Sequence, residues 1–496
     1  VKLSEILQET KTKAIHGTVD RSIHALRYDS RRVEVNDVFF AWKGEKSDGH
    51  QYIAEVCDRG ASAVVLENPN YISRNGATFI EVASARRAMA TMSASFFGRA
   101  DKSLQMIGVT GTNGKTTTTF ILKHLLSEPK VPVGLIGTVR YEIGERILPA
   151  SRTTPESVDL HDLLAQMKAA GCRTTVMEVS SHALEQGRVA PIEFQVGVFT
   201  NLTQDHLDYH ESMENYFAAK ALLFTNLDRP EQPGVAVINA DDPYGVKLMK
   251  LLGDRVRIIA YSVEGKPDAD VAAYDLTFDA AGTKGTLRIG PERFPLELPL
   301  LGSYNVANAL AAVGAALAVG IAPHVIVARL MTTPQVPGRL EKCVSQDGVT
   351  AVVDYAHTDD AVRKALTVLR GITRGRLIVV LGCGGNRDAV KRPLMAQAAV
   401  ECADYAIFTA DNPRQENVEL ILDHMEAGVR DLGLNAKYER VPDRRQAIAL
   451  ALALAQPGDV VCVAGKGHET TQEIAGQFHP FDDRIVVQEF LERRAA

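Results

Sequence analysis

The feature that most constrains this chain is a recurrence. Short runs rich in β-branched apolar residues return along its length, and almost every one ends in a polar or glycine-rich cluster. The runs include MIGVT at 106–110, TVMEVS at 175–180, VGVFTNL at 196–202 and VAVINA at 235–240. TAVVDYA at 350–356, LIVVLGC at 377–383, YAIFTAD at 405–411 and DVVCVAG at 459–465 follow. Amphipathic, helix-like stretches separate many of them. Strands alternating with helices predict an α/β chain built on mainly parallel sheets. The endings read TGTNGKTT, EVSSH, TNLTQDH, DYAH, GCGGNRD, ADNPR and AGKGHE. Open parallel sheets bind ligands at the carboxyl ends of their strands. One or two such endings are ordinary turns, whereas this many predict active-site crevices.

At ~100–200 residues per domain, 496 residues predict roughly two to four domains. Polar Ala100-Asp101-Lys102, before the first phosphate-loop strand, and TTPQVPGR at 332–339 mark the expected boundaries. They divide the chain into 1–102, a smaller α/β N-terminal domain; 103–335, a central domain with a P-loop-type, mainly parallel sheet; and 336–496, a Rossmann-like domain. A composition that is 46% hydrophobic and 23% charged suits a soluble fold, and a net charge of -6 offers no nucleic-acid surface. Cys57, Cys172, Cys343, Cys383, Cys402 and Cys462 form no CxxC pair and are too scattered for zinc, so they are expected to be buried free thiols in a reducing compartment. VKLSEILQETK lacks the apolar core of a signal peptide. The longest plain apolar run, Ala447–Ala455, is far short of the ~20 residues that span a bilayer. A cytoplasmic protein with no membrane insertion is expected.

Gly111-Thr112-Asn113-Gly114-Lys115-Thr116-Thr117 follows a strand and precedes a helical stretch expected over 118–126. Its glycines let backbone amides approach phosphate oxygens, and the helix N-terminus adds a favourable dipole. Lys115 can neutralise β/γ phosphates and the Thr116 hydroxyl can ligate Mg²⁺. The general Walker pattern asks for glycine where Val109 stands, so the generic motif is incomplete. Glu178 ends an apolar strand beside this loop, a place where a carboxylate reads as functional. By spacing alone Lys220 reads as a surface helix lysine, and His206 as a loop histidine or a core hydrogen-bond donor.

TGTNGKTTT, EVSSHAL, NLTQDHLDYH and YFAAKALLF, in this order and spacing, resemble the central domain of the Mur ligase family, whose ancestral core folylpolyglutamate synthetase shares. The resemblance extends over the whole chain. Asp29-Ser30-Arg31-Arg32, NDVFFAWKG and DGHQYI resemble the family's UDP-binding domain, and DYAHTDD, GCGGNRD, DNPR and AGKGHE its amino-acid-binding domain. It implies an ATP-dependent amide-bond ligase of cell-wall precursor synthesis, using ATP as co-substrate, two Mg²⁺ ions and an acyl-phosphate intermediate, and acting as a monomer. It also implies that Lys220 is carbamylated and that Glu178, His206 and Thr116 help hold Mg²⁺.

The same resemblance assigns Ser30, His50 and Gln51 to the uridine nucleotide, and Thr153, Thr154, Ser180, Arg188 and His357 to the muramoyl dipeptide. Asn305, Arg339 and Asp354 fall to ATP. Arg387, Asp411, Asn412, Arg414, Gly465 and Glu469 fall to the incoming amino acid. DNPR at 411–414 is the mark of members that add meso-diaminopimelate to UDP-N-acetylmuramoyl-L-alanyl-D-glutamate. An arginine fork suits the second carboxylate that lysine lacks, and lysine would leave it unpaired. Asp359 stands where the family has proline, which puts the local loop geometry in question. Lysine-adding ligases, other ligases of the superfamily and a non-catalytic precursor-binding protein are the alternatives.

Overall fold

The structure, a computed structural model, describes residues 1–44, 47–73, 76–430 and 437–495. Two units emerge. The first holds Val1–Tyr261 and Ala311–Ile321; the second holds Val271–Leu310 and the chain from Ala322 onward.

The first unit carries two sheets. The smaller has the order Ala14–His16, Thr78–Glu81, Ala63–Leu66, Val38–Ala41, Leu26–Arg27, parallel except at its first strand. Val38–Ala41 and Ala63–Leu66 are buried throughout, as strands covered on both faces must be. In the larger sheet, parallel strands run Arg257–Ser262, Val235–Asn239, Val196–Phe199, Gln105–Thr110, Thr174–Glu178, Val133–Ile136. Arg140–Ile143 and Arg146–Pro149 then add antiparallel edge strands. Gln105–Thr110 lies between the two strands that end at Glu178 and Phe199, so the chain leaves its carboxyl end at a topological switch point.

The helix after that strand starts at Lys115, earlier than the sequence pattern suggested. Gly114, at φ +86°, ends the loop in the left-handed region, and three polar residues then form the first helical turn. Helix Ala85–Phe96 packs on helix Ser157–Ala169. Arg99 fixes that junction: it grips Asp101 through Nε and Nη2 and donates to the Pro191 carbonyl at 3.2 Å.

The second unit contains an antiparallel meander, Val271–Asp279, Gly282–Ile289 and Glu292–Leu298. Its other sheet has the order Glu341–Val344, Thr350–Asp354, Val460–Ala464, Leu377–Cys383, Tyr405–Ala410, Tyr438–Arg440, parallel except at its first strand. A hairpin, Thr471–Ile474 with Gln477–Pro480, follows. All six cysteines are free thiols; Cys172, Cys383 and Cys462 are buried, while Cys57, Cys343 and Cys402 are only partly so.

His161, inside helix Ser157–Ala169, is buried with its Nε2 unpaired, and burial, helped by Arg99, pushes it down to about 3. The unfolded chain binds a proton there below about pH 6.5, whereas the folded chain stays neutral, so stability falls as pH drops from about 6.5 toward about 3. Thermal unfolding across pH 4–7 should show a fall in midpoint, and His161→Phe should flatten it. An unchanged slope in the variant would refute the assignment.

Candidate active site

Two amines converge on one oxygen at the phosphate loop. Lys115 Nζ donates to the carbonyls of Gly111 at 2.9 Å and Thr112 at 2.8 Å. Lys220 Nζ, from helix Met213–Thr225, donates to the same Gly111 carbonyl at 2.9 Å and lies over the Tyr216 ring. Lys220 is 2% exposed, and burial, reinforced by the Lys115 charge, holds its amine far below the usual lysine range. The loop itself is braced from the neighbouring strand end. Thr200 Oγ1 donates to the Asn113 carbonyl at 2.6 Å, Asn201 Oδ1 accepts from the Asn113 amide at 3.0 Å, and Thr112 Oγ1 meets the Thr203 carbonyl and the Tyr216 hydroxyl. A side chain at Gly111 would collide with Thr200 Oγ1, and φ is +149° there, so only glycine fits.

Glu178 is buried, and both its oxygens are held by one residue: Thr138 donates its amide to Oε1 at 2.8 Å and its hydroxyl to Oε2 at 3.0 Å. Thr138 Oγ1 also meets Thr153 Oγ1 at 3.0 Å. Thr154 Oγ1 donates to the Glu178 carbonyl and accepts from the Ser180 amide. Arg188 donates to the Thr154 carbonyl, reaches Gln186 Oε1 and pairs with Glu156 at 3.0 Å. Burial holds its guanidinium below the ordinary arginine value. The sequence candidates Thr153, Thr154, Glu178, Ser180 and Arg188 therefore form one cluster.

His206 stands at φ +55° before the short helix Leu207–His210, its ring 5.0 Å from that of His182 and 6.1 Å from that of Tyr216. Burial, with Lys115 and Lys220 close by, favours its neutral form. Among the described residues no three His, Cys, Asp or Glu side chains converge as a ready metal cage. A cation held by the sequence candidates would need further oxygens, and their chemistry suits a hard ion. The candidates are a carboxylate already oriented by Thr138, a neutral imidazole, the Thr116 hydroxyl and a buried amine whose neutral form can take up CO₂.

Ser30 opens the short turn Ser30–Arg32, capped by Asp29, and Gln51 is exposed in the turn Gly49–Tyr52. His50 is buried with both ring nitrogens engaged, Nδ1 against Asp48 at 2.6 Å and Nε2 accepting from the amides of Glu67 and Asn68. It fixes its own loop rather than presenting a free nitrogen.

In the second unit, Asp354 accepts the amides of Leu340 and Ala356, and Arg339 lies over the Tyr355 ring. Tyr355 in turn neighbours His357 and His468. Asn305 is buried in the first turn of helix Ser303–Ala318, its amide donating to the Leu301 carbonyl. Asp359 takes the first position of helix Asp359–Ile372, capped by Thr358. Proline is favoured there because that amide has no helical partner, and an acid is favoured by the dipole, so both residue types suit the position.

The strand ends carrying Asp411 and Gly465 meet: a side chain on Gly465 would press on Asp411 Oδ2. Lys466, fully buried, donates to Asn412 Oδ1, Glu469 Oε2 and the Thr471 carbonyl. Asn412 Nδ2 donates to the same Glu469 oxygen at 2.8 Å. Burial pushes both carboxyls up; for Asp411 it prevails, while Lys466 and Asn412 hold Glu469 below its ordinary value. Arg414 and exposed Arg387 lie on either side of Gly384, whose missing Cβ would come 3.0 Å from Arg414 Nη1 and 3.8 Å from Arg387 Cγ.

The order of these parts decides the family. Residues 22–97 match the Mur ligase family catalytic domain, 109–316 the Mur ligase middle domain and 338–467 the Mur ligase glutamate ligase domain. The chain is 44% identical to the UDP-N-acetylmuramoyl-L-alanyl-D-glutamate--2,6-diaminopimelate ligase of Geobacillus kaustophilus, with 100% of each chain covered. It is 43% identical to the protein of the same name from Geobacter metallireducens, over 98% of this chain and 97% of that one. The chain belongs to the Mur ligase family. A solved structure of a ligase with that name superposes with a TM-score of 0.73 at 33% identity, covering 100% of this chain and 99% of that one. MurF from Thermotoga maritima in complex with ADP shares the fold, with a TM-score of 0.62 at 20% identity over 95% of this chain and 99% of that one.

Sequence reasoning missed Gly137, Thr138, Gln186 and Lys466. Lys466 stood inside AGKGHE, but nothing marked Thr138, a threonine after a strand. A Cβ on Gly137 would collide with Glu178 Oε1. Gly137→Ala should therefore cut ligase turnover about a hundredfold, the scale of a 1 Å misplacement, with little change in unfolding midpoint. Near-normal turnover would show that the Glu178 position is not demanding.

Proposed function

We propose that this Mur ligase adds meso-2,6-diaminopimelate to UDP-N-acetylmuramoyl-L-alanyl-D-glutamate, at the expense of ATP. The observation that carries the reading is the set of strand ends in the second unit. Arg387 and Arg414 both approach the bare backbone of Gly384, Asn412 and Glu469 are bonded to each other and to Lys466, and Asp411 adjoins Gly465. Two cationic forks and two carboxylates suit a ligand bearing a carboxylate and an ammonium at each end. The names of the relatives support the same assignment.

In this reading the division at 102 and 335 separates a UDP-binding, an ATP-binding and an amino-acid-binding domain. Ser30, His50 and Gln51 serve the nucleotide end of the precursor, His50 by shaping its loop. Thr153, Thr154, Ser180, Arg188 and His357 serve its peptide. The loop from Gly111 to Thr117, with Asn305, Arg339 and Asp354, serves ATP. The precursor carboxylate attacks the γ-phosphate, and ADP leaves. The amine of the incoming amino acid then attacks the acyl carbon, and phosphate leaves as the tetrahedral centre collapses. Lys115, now on loop carbonyls, is placed to exchange them for phosphate oxygens and offset repulsion between carboxylate and triphosphate. Mg²⁺, which Thr116, Glu178, His206 and a carbamate on Lys220 would hold, supplies further charge neutralisation. Thr138 keeps Glu178 aimed, and Arg188 holds the Thr154 turn. No described helix is long and apolar enough to cross a membrane; a cytoplasmic monomer accords with the proposal.

The direct test offers meso-diaminopimelate or L-lysine to the protein with ATP, Mg²⁺ and the UDP-linked dipeptide, reading product mass and phosphate. Strong preference for diaminopimelate is expected, and Arg414→Ala should raise its KM by about ten- to a hundredfold. Preference for lysine in the unaltered protein would overturn the specificity reading.

Lys220 gives a separate test. Lys220→Ala should lower turnover by about a thousandfold or more, on the scale of losing one electrostatic stabiliser. Full activity in that variant, with or without added bicarbonate, would sink the carbamate assignment.

A further inference from the structure

Arg414 is an unusual place to put a specificity-bearing side chain. Its backbone is left-handed, at φ +55°, a conformation disfavoured in a residue with a Cβ. The hairpin Thr471–Ile474/Gln477–Pro480 holds it there. The Arg414 amide donates to the Glu473 carbonyl at 2.9 Å, and its carbonyl accepts the Ala475 amide at 2.6 Å. The Glu473 amide donates to Asn412 Oδ1 at 3.0 Å. Residue 473 is thus wedged between two residues assigned to the amino acid.

Its side chain reaches the same target. Glu473 Oε2 is 3.3 Å from Arg414 Nε, and both side chains are 24% exposed. On the far side Arg414 Nη1 donates to the Gly385 carbonyl at 2.8 Å. A guanidinium is a rigid plane with five N–H groups. The hydrogen bond at Nη1 fixes one corner of that plane, and the Glu473 charge attracts its Nε side. They leave Nη2 and the second N–H of Nη1 for another partner. Nη1 lies by Gly384, where the absent side chain leaves room.

We infer that Glu473 is a positioning residue for the amino-acid pocket, holding the Arg414 guanidinium by Nε so that its Nη1–Nη2 edge is presented to the distal carboxylate of the incoming amino acid. The inference rests on the proposed diaminopimelate reading. It assigns Glu473 no contact with substrate. It also runs against the simpler expectation that a carboxylate beside Arg414 competes with the ligand. A competitor would be displaced on binding, and its removal would tighten binding. A positioning residue stays in place, and its removal weakens binding.

The experiment uses the full chain and compares Glu473→Ala and Glu473→Gln with the unaltered protein. Expected for Glu473→Ala is a KM for meso-diaminopimelate raised roughly two- to fivefold, the range for a partly exposed ion pair. The kcat, the KM for ATP, the KM for L-lysine and the unfolding midpoint should not move, because none of them uses the Arg414 edge. Glu473→Gln keeps an acceptor oxygen and should recover most of the loss. In an Arg414→Ala background Glu473→Ala should add nothing. An unchanged or lower KM for diaminopimelate would overturn the inference, and so would an equal loss with lysine and ATP. A protein that prefers lysine from the outset would overturn the functional reading and this inference together. A diaminopimelate-preferring protein indifferent to Glu473 would overturn the inference alone.

Discussion

The carbonyl oxygen of Gly111 receives two lysine nitrogens, and much of the first unit is arranged around the cost of that convergence. An unpaired ammonium buried as deeply as Lys220 is expensive, so the neutral amine is the favoured form. Lys115, on the same carbonyl, adds to the pressure on its neighbour. The arrangement holds only if the Gly111 carbonyl cannot move. Thr200, Asn201 and Thr203 tie the loop to one flanking strand end, and Tyr216 and Thr112 tie it to the helix that carries Lys220. That bracing uses the Thr112 and Asn113 amides and leaves the first-turn amides of the helix that starts at Lys115 for an anion, as a phosphate site requires.

The second unit solves a related problem with buried cations. Arg444 donates to the carbonyls of Ala410 and Ala464 while its Nε and Nη2 donate to the two carboxylate oxygens of Asp483. Those two carbonyls end the strands that deliver Asp411 and Gly465, so the gap between the strand ends is set by one guanidinium. Lys466 does the same one residue further along, locking Asn412 to Glu469. Arg392 holds the Gly384 carbonyl and Glu416 beneath the next loop. Such groups contribute little net stability when paired, yet removing one partner costs about 3–5 kcal/mol because the other is left charged in the interior. They act as spacers whose length is fixed by chemistry.

The parallel α/β organisation was legible because β-branched runs and strand-end clusters are local signals. The antiparallel meander at 271–298 was not, since its strands keep no steady alternation of buried and exposed residues and carry no ligand-binding ending. The phosphate loop was readable to the residue, but the onset of its helix was misplaced, because threonines in a first turn look like loop. Lys220 illustrates the limit best. In sequence it is one lysine in a helix; its meaning comes from a helix face that buries it against a carbonyl more than a hundred positions away.

His50 and Glu473 show the same limit from opposite sides. A histidine in a family motif reads as a ligand contact, yet both its nitrogens are spent on its own loop. A glutamate in a hairpin reads as a solvated charge, yet its backbone bonds Asn412 and Arg414 while its carboxylate faces the arginine. Motifs report which side chains meet a ligand because ligand chemistry restricts residue type. What aims those side chains is under no such restriction: any acceptor at the right place can hold a guanidinium. Positioning residues are therefore the part of a site that sequence conceals and geometry reveals.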